Sequence, residues 1–496
     1  MTVTNRLVLM GCACLAASAA PARADTLEDA LRHAYERNPA LSASRQLARA
    51  AAEGVAQARA SYGPSLDVSI RHQFTASRIR GTAFPSEDAG FSTSGEVSLS
   101  QPLFTSGRLA AGLDAARAGR MIAAANLESA GQRLIFEVVS AYVALRRDLE
   151  LYRVASGIRD LLLLQRDSTA ARLRLHDQTQ PDLDQTVNRF ELAAGRVISA
   201  RAAVEASAAR YRNLVGAYPG ELADPPALPA LPPLDGLYVQ AETTSPDLVA
   251  AQFAEARSRA LVGSARAAMR PQVAAFAAAA RAPLSPYGNT LRQEQVVGGV
   301  SLSMPLYSGG QQSALLREAI ARNLADQLQV EQARRDMRER LAADWALFAA
   351  ASDALPRYRS AVTAAESAVA GVERQQRAGM RTLRDVLEVT NDLLVARTSA
   401  VQADADTYIR KVAVLRDAGL LSPALFAVDA TVPPKDDPAG VPPHPLAGLP
   451  LRPVIEPLDR ALLDDAVGDA GAERERSDAF VWPEGKDAPA DPSGVR

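Results

Sequence analysis

Asp385 and Glu388 stand three residues apart in a stretch of helical pattern, so their carboxylates fall near one helix face. Two acids so placed can gather cations and repel anions, but they break no bonds alone. The histidines His33, His72, His176 and His444 are scattered without ligand spacing, and no nucleophile motif or glycine-rich phosphate loop stands out. Both cysteines, Cys12 and Cys14, lie near the start, which leaves the rest of the chain no disulfide and no thiolate metal site. These residues argue against an enzyme, a metal centre or a cofactor. A net charge of −2 over 496 residues argues against nucleic acid as a partner.

The acids follow one of two helical tips, and the tips belong to an internal duplication. Gln101-Pro102-Leu103-Phe104-Thr105-Ser106-Gly107-Arg108 is matched by Met304-Pro305-Leu306-Tyr307-Ser308-Gly309-Gly310-Gln311. Asn38-Pro39 faces Ser245-Pro246, and Pro64 faces Pro271. Aligned this way, Asp184 faces Asp385. The offsets stay near ~200 positions, too long for a solenoid repeat and suited to a duplicated domain. We therefore read a first repeat over 25–222, a proline-rich linker over 223–242 and a second repeat over 243–422.

Residues 1–24 carry Arg6, an apolar run and Ala22-Arg23-Ala24, the pattern of an export signal. Leu9-Met10-Gly11-Cys12 is a poor lipoprotein box, because the apolar run before it is short. After Pro423 the composition turns to Pro, Asp and Gly, so 423–496 reads as a mostly disordered tail.

Past the signal, no run of 18 apolar residues is available for a membrane helix. Strands are expected at about 65–75 and 91–103, where Leu66, Val68 and Ile70, and then Val97 and Leu99, alternate with polar residues. Two more are expected at about 272–281 and 294–306, although the first of these is so rich in alanine that propensity alone gives a helix. Each strand pair leads into a helix of about 70 residues, roughly 105 Å long. Leu127, Gly131, Leu134, Val138, Ala141, Leu145, Leu149 and Tyr152 read as a coiled-coil seam. Met337, Leu341, Trp345 and Phe348 mark the matching region, and Pro356 should kink or interrupt the second long helix. The helices reverse at 175–181, where Asp177 is the best left-handed cap on offer, and at 377–382, where Gly379 serves.

Taken together, the duplicated Pro-Leu-aromatic turns, Asn38-Pro39 and Gly379-Met380-Arg381-Thr382-Leu383-Arg384-Asp385-Val386-Leu387 resemble the TolC family of outer-membrane efflux and secretion channels over about 25–422. The resemblance implies a mainly α fold with a small β part. Long antiparallel helices would form a trimeric α-barrel, and four strands per chain would enter a shared twelve-stranded transmembrane β-barrel. It implies an outer-membrane location with a long periplasmic extension, in contact with outer-membrane lipid. The partners would be a homotrimer, a periplasmic adaptor and an inner-membrane ABC transporter or proton-driven pump.

By the same resemblance, Arg381, Asp184, Asp385 and Glu388 are periplasmic gate residues. His176, Asp177, Gly379 and Met380 form adaptor-docking tips, and Pro102, Gly107, Pro305 and Gly310 mark the turns from barrel to tunnel. The first tip departs from the family in lacking its glycine, and Leu183 replaces a polar residue. Type I protein secretion is the favoured reading, since drug-efflux members often carry an acylated mature N-terminal cysteine. Tripartite small-molecule efflux is the alternative, and a periplasmic coiled-coil scaffold a remote one.

Overall fold

The computed structural model describes residues 26–81, 86–176, 178–428 and Pro457. The expected export signal, all of the tail beyond residue 428 except Pro457, and Asp177 lie outside the described residues. The first half runs α1 (Leu27–Arg37), α2 (Pro39–Ala60), β1 (Ser65–Ile79), β2 (Ser86–Phe104), α3 (Arg108–Arg174) and α4 (Gln180–Val215). The second runs α5 (Leu234–Thr244), α6 (Pro246–Ala267), β3 (Gln272–Pro283), β4 (Arg292–Ser303), α7 (Gln311–Arg377) and α8 (Leu383–Asp417), followed by a 3₁₀ turn at Pro423–Phe426. The two halves repeat the same element order. Their helices match in length too: α1 and α5 have 11 residues, α2 and α6 have 22, and α3 and α7 have 67.

Asn-Pro and Ser-Pro open the second helix of each half. Asn38 Oδ1 accepts from the amides of Ala40 and Leu41, at 2.9 and 3.2 Å, while Pro39 supplies a preset φ at the first helical position.

Two compact units divide the chain. One holds the sheet, with residues 57–114 and 260–320, and the other holds most of the helices, with residues 26–56, 115–259 and 321–428.

In the sheet unit the strands are antiparallel in the order β1-β2-β3-β4. Alternation sorts the side chains: Val68 faces Val97, Leu66 faces Leu99, and Ala275 faces Val300. Leu66, Val68, Ile70, Phe74, Val296, Val300 and Leu302 are all exposed. The registers put them on one face with Val97 and Leu99, and put Asp67, Ser69, Arg71, Glu96 and Ser98 on the other. The ion pairs Arg78 to Glu87 and Arg281 to Glu294 close the apolar face at the hairpin ends. The alanine-rich segment is a strand, because its neighbours on both sides satisfy its backbone.

At the turn out of each hairpin two successive residues take left-handed backbone. They are Ser106 and Gly107 (φ 53° and 91°) in the first copy, and Gly309 and Gly310 (60° and 85°) in the second. The strain at Ser106, about 1 kcal/mol, is accompanied by a 2.6 Å bond from its hydroxyl to Pro271 O.

Three expectations are corrected. The sheet is open, with β1 and β4 as its edges, because four strands are too few to curl shut; the expected closed twelve-stranded barrel is therefore not the fold of this chain. The fold class is mainly α with a small four-stranded antiparallel sheet, and no helix among the described residues is long and apolar enough to cross a membrane. Pro356 does not interrupt α7, which is helical from Gln311 to Arg377. Burial on α3 is also broader than a narrow seam, since Leu134, Ile135, Val138, Val139, Ala141, Tyr142, Val143 and Leu145 are all buried.

That wide face anchors the helical core. Leu27, Leu31 and Ala34 of α1, Tyr211 and Val215 of α4, and Val412 and Leu415 of α8 pack with it. Met337 and Leu341 of α7 join Leu237, Ala241, Leu248, Val414 and Ala418 in a second cluster, with Trp345 and Phe348 beside it. The link between the halves is strapped down through its carbonyls. Tyr142 Oη donates to Ala223 O, Tyr408 Oη to Pro226 O and Lys411 Nζ to Leu228 O, at 2.8, 2.9 and 3.1 Å.

Candidate functional site: the helical tips

α7 ends in a left-handed glycine. Gly379 has φ 75°, the Gly379 amide reaches Gln376 O at 3.0 Å, and the Met380 amide reaches Gln375 O at 2.9 Å. At the first tip the left-handed residue is His176 (φ 61°), its amide bonded to Leu173 O at 3.0 Å. His176 keeps from Gly379 the same spacing that relates Pro102 to Pro305. A histidine therefore occupies the glycine position.

A side chain there costs roughly 1 kcal/mol. We expect His176→Gly to slow amide exchange across the last turn of α3 severalfold, and unchanged exchange would show the position to be unstrained.

The returning helices start alike. The Thr382 amide and hydroxyl both donate to Asp385 Oδ2, at 2.9 and 3.0 Å, and the Asp385 amide returns a bond to Thr382 Oγ1 at 3.3 Å. At α4 the Thr179 amide and hydroxyl donate to Asp182 Oδ2 at 3.1 and 2.6 Å. The bonds from Thr382, backbone first, hold the Asp385 carboxyl below its ordinary value, and those from Thr179, hydroxyl first, do the same for Asp182. Both caps are thus complete above the ordinary aspartate range and are lost as the pH falls through the depressed values.

Asp182 is the residue missed from the sequence, and the structure makes it, rather than Asp184, the counterpart of Asp385. The legible signal was Thr-x-x-Asp in both copies, Thr179 to Asp182 and Thr382 to Asp385.

Arg381 and Asp184 are not brought together within the chain. Arg381 Nε donates to Gln375 Oε1 at 3.2 Å, and Asp184 Oδ1 accepts from Gln180 Nε2 at 2.9 Å. Glu388 is exposed one turn below Asp385. Beneath the tips Leu383, Leu387 and Leu394 of α8 pack on Ile158 and Leu162 of α3 and Ala193 of α4. Leu175 and Met380 stand 78% and 70% exposed, so each tip presents an apolar side chain to solvent. Among the described residues no group of three or more His, Cys, Asp or Glu side chains is placed to hold a metal ion.

A family model described as "Outer membrane efflux protein" matches residues 30–217 and 237–419, one stretch for each repeat. The chain belongs to the outer membrane efflux protein family. Among relatives of this efflux family it is similar to outer membrane efflux protein BepC of Brucella suis biovar 1, with 26% identity over 406 residues covering 81% of this chain and 87% of BepC. It is similar to outer membrane protein TolC of Escherichia coli, with 22% identity over 422 residues covering 81% and 83%. The fold is that of the Campylobacter jejuni CmeC outer membrane channel, with a TM-score of 0.69 at 14% identity over 82% of this chain and 87% of CmeC. As a member of the efflux family the chain is a non-catalytic outer-membrane transport channel with a long helical periplasmic extension.

Proposed function

We propose that the protein is the outer-membrane exit duct of a tripartite small-molecule efflux system, working as a homotrimer with a periplasmic adaptor and an inner-membrane pump. The observation that carries this reading is the efflux-family match across both repeats. BepC, also named an efflux protein, adds support and reverses the order favoured from the sequence, where secretion stood first. Exposed apolar residues on α7, including Leu315, Leu324 and Leu328, support burial against further copies. Leu175 and Met380 support an apolar adaptor contact at tips that also include His176 and Gly379. The turns Pro102 to Gly107 and Pro305 to Gly310 would then mark the passage from membrane to periplasm.

Deletion of the gene tests the substrate class. Small-molecule dye accumulation should rise severalfold with the secreted proteins unchanged. Loss of a secreted protein at normal dye accumulation would restore the secretion reading, and a cross-linked mass other than three chains would overturn the trimer.

The gate assignment of Arg381, Asp184, Asp385 and Glu388 belongs to the same proposal. Asp385→Ala with Glu388→Ala should weaken divalent-cation block of single channels severalfold. Unchanged block would remove these acids from the duct.

A further inference from the structure

Two carboxylates meet where α8 ends. The Asp417 side chain is only 7% exposed and that of Asp344, from α7, 17%. Arg416 Nη2 lies 2.7 Å from Asp417 Oδ1 and 3.4 Å from Asp344 Oδ2, with its guanidinium 4.4 Å above the Phe136 ring. Arg410 Nη1 is 3.8 Å from Asp344 Oδ1. Even so, Asp417 Oδ2 is buried with no donor.

A buried acceptor without a donor costs about 1–3 kcal/mol, and a carboxylate on the last helical residue also faces the negative end of the helix dipole. Protonation removes both penalties, because an Asp417 O–H can donate to the neighbouring Asp344 carboxylate. Burial pushes the Asp417 carboxyl up to about 6, with Arg416 opposing and Asp344 adding to the rise.

The other elements packed here bring neutral groups and an ion pair, Arg340 of α7 with Asp247 of α6 at 3.3 Å. Thr244 of α5 donates to Ala418 O, Gln132 of α3 donates to Gly419 O, and Leu248 of α6 packs beside Ala418. Among the described residues, the cations within ion-pair distance of the two carboxylates are Arg416 and Arg410, with Arg416 also bonded to both.

We propose that Asp344 and Asp417 form a proton-binding site that clamps the end of α8 to α7, closed when the pair holds a proton and loosened when it is lost. The carboxyl is raised in the folded chain, so its stabilising contribution is complete below the ordinary aspartate value and fades as the pH rises through about 6.

Amide exchange over residues 412–418 of the full chain in detergent, corrected for intrinsic rates, tests the clamp at about pH 5 and about pH 7.5. Wild type should lose protection severalfold at the higher pH. Asp417→Asn, whose amide donates to Asp344 at either pH, should hold the same protection at both, and Asp344→Asn should flatten the response as well. A flat wild type, or a pH response surviving in Asp417→Asn, overturns the site. Protection of wild type restored at the higher pH by magnesium would assign the pair to a metal ion and overturn it equally.

Discussion

Gly419→Ala is expected to destabilise the helical unit by about 2–5 kcal/mol, combining left-handed strain with overpacking. Gly419 has φ 69°, and a Cβ there would lie 2.3 Å from Thr244 O, 2.5 Å from Thr244 C and 2.9 Å from Ser245 N. All three are backbone atoms, so no side-chain rotation relieves the clash. The turn is held besides by Leu420 N to Leu415 O at 2.8 Å and by Thr244 Oγ1 to Ala418 O at 2.7 Å. Shifting it would disturb the α8 residues that pack on α7. Helical circular dichroism should show melting several degrees lower. Gly157→Ala is the control of opposite sign, because nothing lies within 4 Å of its new Cβ and a mid-helix alanine gains about 0.5–1 kcal/mol. Equal melting of Gly419→Ala and wild type would refute the packing argument.

The second large effect concerns the sheet. Val68 is 67% exposed on the apolar face, directly opposite Val97, while Ser69 points to the polar face opposite Glu96. In the proposed duct the apolar face would meet lipid, where an arginine near the bilayer centre costs about 2–4 kcal/mol. Val68→Arg should therefore lower recovery of the protein in the outer membrane about tenfold or more, whereas Ser69→Arg should be recovered like wild type. Equal recovery of the two variants, or the reverse order, would assign lipid to the other face.

Alternation made the faces of β1 and β2 readable from Leu66, Val68 and Ile70, but β3 was readable only through its repeat partner. Alanine prefers a helix on its own, and here flanking strands decide the outcome. Pro356 lies inside α7 without ending it. It removes one hydrogen bond, while 67 residues of helix leave many others.

At the tips, the apolar positions under Leu383 and Leu387 follow from periodicity, whereas Asp184 lies two residues beyond the counterpart of Asp385. A capping box depends on backbone geometry and not on the hydrophobic pattern, so Thr-x-x-Asp leaves no trace in that pattern. The Asp344 and Asp417 pair lies 73 residues apart in the sequence and is joined only by the meeting of α7 and α8, so no local spacing announces it.

The equal length of α3 and α7, 67 residues each, bears on how such a chain can vary. Removing one residue from either helix shortens it by about 1.5 Å and turns everything beyond by about 100°. Its tip then falls out of phase with the tip of its twin. Insertions and deletions in the two helices should therefore persist only as matched pairs, or in blocks near whole numbers of turns, so that chain length is inherited jointly by two segments far apart in the sequence.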